Sequence, residues 1–354
     1  MIRKILFIFI LFPLVFSSCK KEEGCMDPIA INYNPDAEKD DGSCIYETFP
    51  PLVGAIINYT TNDGLLSNFV ECIDVDENNN VWFGTSNGVQ KYDGNEWISY
   101  TSNNHNGIPS NNIKVVKVMN NGDVWIGTDF GASKFDGSNW MLYDFNSGLI
   151  SSQIQSIDED LDGNVWIGTN MGVSYFDGLN WQSYGSSDLH WSGVNDIAFD
   201  SQGAKWFTSP LGGVTHFYDN IFVNYDVQDG LLSENTTSII IDNNNNKWIG
   251  TGSGISVLDA TNNISSNYTR MYLLSPPDTL NPVVDLDIDQ WNRPWVAIYV
   301  GYLAQGGIAY FENNQWIDLD VNDGIAGTNV KGVAIHENNV WIATTTGVSK
   351  IILE

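Results

Sequence analysis

Four histidines, four cysteines and one run of alternating aspartates are the side chains through which this chain could do chemistry. His105, His190, His216 and His336 stand far apart and show no metal-ligand spacing. Serines crowd the polar segments between apolar runs, so no Ser-His-Asp arrangement can be singled out. His190 or His105 would suit the single general acid-base group of a lyase. A paired-carboxylate hydrolase would need two acids chosen from 43, and spacing picks out none. Asp158, Asp160 and Asp162 precede Gly163 as Asp-x-Asp-x-Asp-Gly, the opening of an oxygen-ligand loop for calcium, without the later bidentate Glu. The alternative is a hairpin turn capped by aspartate. That is the simpler account, because Asp76, Asp200, Asp242 and Asp289 recur at the position of Asp160. We therefore expect no catalytic residues and no cofactor, calcium being the one ion the spacing would admit.

The elements that must position these residues emerge from self-similarity. A Trp-(Ile/Phe/Val)-(Gly/Thr/Ala) core recurs at Trp82, Trp125, Trp166, Trp206, Trp248, Trp295 and Trp341, at intervals of 40 to 47 residues. Around each core run an apolar strand ending in a polar turn, the Trp strand, a small loop, a third strand, a turn and a fourth strand. Asp93-Gly94, Asp136-Gly137 and Asp177-Gly178 mark the last turns, since these residues tolerate the positive φ of tight hairpins. Four antiparallel strands at this period predict an all-β, seven-bladed β-propeller over 47–354. The last repeat stops after its third strand, while Ala55 to Thr60 aligns with the fourth strand at Glu96 to Thr101. The N-terminal strand should therefore complete the final blade and leave no open edge. The 33 glycines and 16% charged residues agree with short strands and tight turns, and almost no helix is expected.

Eleven of the thirteen tryptophans fall in register, in second or fourth strands, and should pack between blades. Trp191 and Trp291 do not. Trp291 falls in the turn between the first two strands of blade six, and Trp191, with His190, in the link from blade three to blade four. Links and second-to-third-strand loops emerge on one face of a propeller. Phe130, Met171 and a longer blade-six loop carrying Tyr299 and Tyr302 belong to that face by the same alignment. Aromatic rings on a concave surface suit sugar rings, with Asn and Asp taking the hydroxyls. The alternative is loop aromatics folded against their neighbours. Cys72 aligns with Val115, Ser156 and Gly332 in first strands and reads as a small buried thiol.

The N-terminus carries other signals. Arg3 and Lys4 precede an apolar run from Ile5 to Phe16, too short for a membrane span, which predicts a signal peptide over 1–18. Val15 to Cys19 resembles a bacterial lipobox, which implies lipidation of Cys19 and a tether over 19–24. Lys20-Lys21-Glu22-Glu23 is similar to the tag that sends Bacteroidetes-type lipoproteins to the cell surface. Residues 25–46 are bounded by Cys25 and Cys44, and two cysteines flanking so short a segment in an oxidising compartment read as a disulfide. This stretch resembles a Cys-Asp-Pro … Asp-Asp-Gly-Ser-Cys module of surface proteins from the same bacteria. The implied location is the outer membrane, facing the exterior, with membrane contact through the lipid alone.

The repeats resemble those of the two-component regulator propeller family, most closely at Asp160 to Thr169, Gly172-Val173 and Phe176-Asp177-Gly178. Such propellers often form the sensor of membrane-bound histidine kinases that detect polysaccharide fragments. No span, kinase or receiver follows here, so only the binding role is expected to carry over. A net charge of -28 would repel nucleic acid. The expected partners are thus an extracellular glycan, foremost a polysaccharide fragment, or a surface protein for which the chain is a docking scaffold. A lyase or hydrolase is the third reading, and a monomer is expected.

Overall fold

The structure is a computed structural model that describes residues 23–26, 32, 34–41, 43, 53–274 and 279–354. The chain divides into two compact units, Met1–Pro50 and Pro51–Glu354. In the first, Glu23–Gly24 pairs in parallel with Lys39–Asp40, and Lys39 Nζ meets Glu23 Oε1 at 2.7 Å. Cys25 is buried. The signal segment, Cys19 and Cys44 lie outside the described residues.

The second unit is the predicted propeller: seven four-stranded antiparallel sheets, with the first strands of successive blades neighbours around a ring. Blades 1 to 6 begin their first strands at Val70, Val115, Ile154, Asp196, Thr236 and Val283. Blade 7 is built from Val330–His336, Asn339–Thr344, Gly347–Leu353 and, from the other end of the unit, Val53–Tyr59. Helix is confined, among the described residues, to the single 3-10 turn Phe145–Ser147.

Position in the blade explains each strand's composition. Second strands such as Val165–Thr169 are buried along their whole length, because neighbouring blades cover both faces, and they read as continuous apolar runs. Fourth strands lie at the rim and are more exposed, and Ile264–Tyr268 alternates between half-buried and exposed positions. The closing strand pairs Ile56 with Ile351 and Tyr59 with Val348, and Tyr59 stacks on Trp341 at 5.7 Å. Every in-register tryptophan packs against the apolar clusters between blades or another ring; Trp140, for example, stacks on Phe135 at 4.9 Å.

The aspartate that ends the first strand has a second task that the repeat pattern did not disclose. Asp160 Oδ1 accepts the N–H groups of Asp162 and Asn164, which shapes the turn, while Oδ2 accepts Trp166 Nε1 at 2.9 Å. Asp200, Asp242 and Asp289 hold Trp206, Trp248 and Trp295 in the same way. The turn also needs a left-handed residue three positions after the aspartate, filled by Gly163, Gly203, Asn245 and Asn292, which explains the Asn/Gly preference there.

Candidate functional site

The first strands enclose a central channel of about 570 Å³. Each strand has an inner edge with no further strand to pair with, so its N–H groups need other acceptors. Aspartates supply them. Asp74 accepts from Val75 at 2.9 Å and from Val118 of the next blade at 2.7 Å. Asp196 bridges Ile197 and Ile239, Asp285 bridges Leu286 and Val333, and Asp287 bridges Ile288 and Ile335, all at 2.6 to 2.9 Å. Asp74, Lys117, Asp158 and Asp287 stand opposite second-strand tryptophans, with Lys117 Nζ 2.8 Å from Asp158; Asp196 and Asp285 lie two residues earlier in their strands. The carboxylates thus sew adjacent blades together, and both oxygens of four of them are engaged.

Depth in the ring raises these acids, because removing charge from water outweighs the stabilising N–H bonds. Burial pushes Asp285 to about 8 and Asp196 and Asp287 to about 7, and raises Asp74 against the pull of Lys117. Lys117 is raised chiefly by Asp158. The side chains retain partial exposure to the channel, yet all seven blades surround them, and that enclosure governs their desolvation. A folded pKa above the ordinary value of 3.8 means that the folded state binds the extra proton. The resulting stability is complete below pH ~4 and drains away as pH rises toward 7 to 8. We predict a melting temperature several degrees higher at pH 5 than at pH 8.5. Asp285→Asn should flatten that slope, which calorimetry across the range would measure.

Antiparallel order puts the blade links and second-to-third-strand loops on one face. Phe130 and Met171 occupy such loops in blades 2 and 3, and His190 and Trp191 the link into blade 4; all four are exposed, Phe130 to 66% and Trp191 to 43%. Phe145 and Leu211, which the alignment had not singled out, extend the same arc. Trp191 folds partly onto the blade-4 loop: a Cβ added at Gly212 would stand 2.5 Å from its own. Tyr302 is 81% exposed on the blade-6 hairpin, and blade 5 separates it from this arc. Tyr299 corrects an expectation. It lies in the strand Pro294–Val300, half-buried and paired with Gly306, because blade 6 extends its middle hairpin.

Asp158, Asp160 and Asp162 are given different surroundings, the first against Lys117 in the channel, the second under Trp166, the third exposed on the turn. Trp291 covers the Arg293 guanidinium at 5.0 Å on the face opposite the arc, which accounts for its departure from register. Cys72 pairs with Gly84 beside the channel, and burial pushes its thiol well up, away from the reactive thiolate.

A profile of the two component regulator propeller repeat matches residues 64–87. No curated protein sequence matches the chain. Among solved structures, the chain is similar to the extracellular domain of a B. thetaiotaomicron protein described as a hybrid two component system, with TM-score 0.69 and 22% identity, covering 84% of this chain and 41% of that one. It thus spans less than half of that domain. Virginiamycin B lyase from Staphylococcus aureus, in a catalytically inactive form with quinupristin, gives TM-score 0.68 at 14% identity over 85% and 99% of the two chains. PorZ of Porphyromonas gingivalis, a surface component of the type-IX secretion system, gives 0.64 at 17% over 84% and 48%. At these identities the structural likeness speaks to the fold alone. The chain is a seven-bladed propeller that carries the two component regulator propeller repeat.

Proposed function

We propose that this chain is an exported lipoprotein, anchored through Cys19 to the bacterial outer membrane and stapled by a Cys25–Cys44 disulfide, whose propeller binds an extracellular ligand. Polysaccharide fragments are the leading class. The observation that carries this reading is the arc of exposed aromatic and apolar side chains at Phe130, Met171 and Trp191, on loops held by rigid blades. Sugar rings present C–H faces that stack on such groups. Binding without turnover is the better reading, since His190 is exposed and, among the described residues, hydrogen-bonds to no carboxylate that would orient it as a base. Trp191→Ala should weaken a bound glycan at least about tenfold in calorimetric titration, given what one stacked aromatic contributes. Trp291→Ala, on the other face, should not. Equal affinity of wild type and Trp191→Ala would remove the arc from the binding account.

A second reading, a docking scaffold for a surface protein, draws on the same arc. Phe130, Phe145 and Leu211 are each more than half exposed, and interfaces are built around such anchors. The likeness to PorZ lends it a precedent in fold.

A further inference from the structure

A second cavity, of about 310 Å³, opens between blades 3 and 4 on the face opposite the arc. Its origin lies in the local sequence. Blades 1 to 3 join their last two strands through four residues, as from Tyr92 to Trp97, whereas blade 4 turns from Tyr218 to Ile221 through Asp219 and Asn220 alone. Both have positive φ, 51° and 61°, the geometry of a two-residue hairpin that Asp and Asn tolerate. The four residues between Phe217 and Phe222 equal those between Phe176 and Trp181, but the extra pair of Tyr218 with Ile221 extends the blade-4 hairpin and sets Tyr218, Asp219 and Asn220 along one wall of the cavity.

The walls are aromatic and the rim is acidic. Tyr175 packs on Trp166 at 4.9 Å, Tyr184 lies parallel to it at 6.2 Å, and Tyr218 stands half exposed at the mouth. Asp162 and Asp219 are exposed at the cavity, and Asp160 lies buried beneath, already held by Trp166. The one cation of the lining, Lys205, is already engaged: its ammonium donates to Gly203 O at 2.8 Å and sits 5.7 Å over the Trp166 ring. Burial raises the Tyr175 hydroxyl, and the fields of Asp160, Asp177 and Asp162 raise it further, which marks the interior as electronegative. Aromatic faces beside free carboxylates favour a positive charge carried on an apolar body. A volume near the lower end of ligand pockets, roughly 300 Å³, limits that body to about one ring.

We propose that the slot between blades 3 and 4 is a binding site for a single-ring molecule bearing an ammonium group, such as an amino sugar unit. It is independent of the ligand on the opposite face. The probes are glucosamine, glucose and N-acetylglucosamine, which share one ring and differ in charge, titrated into the full chain by calorimetry or ligand-observed NMR. Glucosamine should bind at least about tenfold more tightly than the two neutral sugars. Asp162→Asn with Asp219→Asn should remove that preference, while Trp191→Ala leaves it intact. The double variant should fold, because both side chains are exposed and Asn accepts the backbone of position 219. Equal binding of all three sugars, glucosamine binding that survives the double variant, or no glucosamine binding would each overturn the assignment. Loss in Trp191→Ala alone would move the binding to the arc.

Discussion

A chain lacking residues 53–59 should lose the single cooperative melting transition of the intact propeller, with exposed apolar surface and aggregation in its place. The deletion strips blade 7 of its outer strand and opens both Gly347–Leu353 and the face of blade 1. Tyr59 alone touches Trp341, Tyr92 and Trp97 at 5.6 to 5.9 Å. Asn58 ties the strand to Gly324 O at 2.8 Å and to Ser349 at 2.7 Å. Burial raises the Tyr59 hydroxyl to about 12, consistent with its enclosure. The gentler Tyr59→Ala should cost about 2 kcal/mol, below the range for a fully buried aromatic, because Tyr59 is half-buried. Differential scanning calorimetry of both variants would check this, and a deletion variant that melts cooperatively at the wild-type temperature would contradict the ring-closing role.

The second large effect is expected at Asp289. Its side chain has no solvent exposure and accepts four donors: the N–H groups of Trp291 and Arg293, Arg293 Nε at 2.7 Å and Trp295 Nε1 at 2.9 Å. Arg293 is itself buried, clasped between Trp291 and Tyr310 and shared with Glu312 at 3.2 Å. Asp289→Ala would leave that guanidinium short of its main counter-charge, a loss of about 3–5 kcal/mol. Removing both charges, as Asp289→Ala with Arg293→Met, should recover part of the loss, because the buried cation goes with its partner. Denaturant unfolding of the single and double variants would give the coupling, and additive effects would show that the pair does not act as a unit.

Repetition made the fold legible. Seven tryptophan cores at near-constant spacing, and an N-terminal segment aligning with fourth strands, gave blade number and closure without coordinates. The turn aspartates were legible as turn formers, but their bond to an indole six residues later was not, because each spans two strands that only the pleat brings together. The reason Trp291 stands out of register was hidden in a related way. Its partner Arg293 lies two positions away and can be recognised only once Asp289 and Glu312 are seen to pair with that buried arginine. The channel carboxylates were hidden more completely. Asp74, Asp196 and the pair Asp285 and Asp287 come from three different repeats and look like ordinary strand polar residues until ring closure turns them inward. The arc of Phe130, Met171, His190 and Trp191 was found by alignment, whereas Tyr302 was separated from it by the order of blades around the ring.

The melting temperature of the propeller, residues 51–354, against a panel of glycan oligomers tests the binding account most directly. A ligand at a hundred times its dissociation constant adds about 2.7 kcal/mol, enough to raise the transition by several degrees in a domain of this size. The account predicts such a shift with one glycan class and its disappearance in Trp191→Ala. No shift with any glycan at saturating concentration would contradict it and leave the exposed arc to a protein partner.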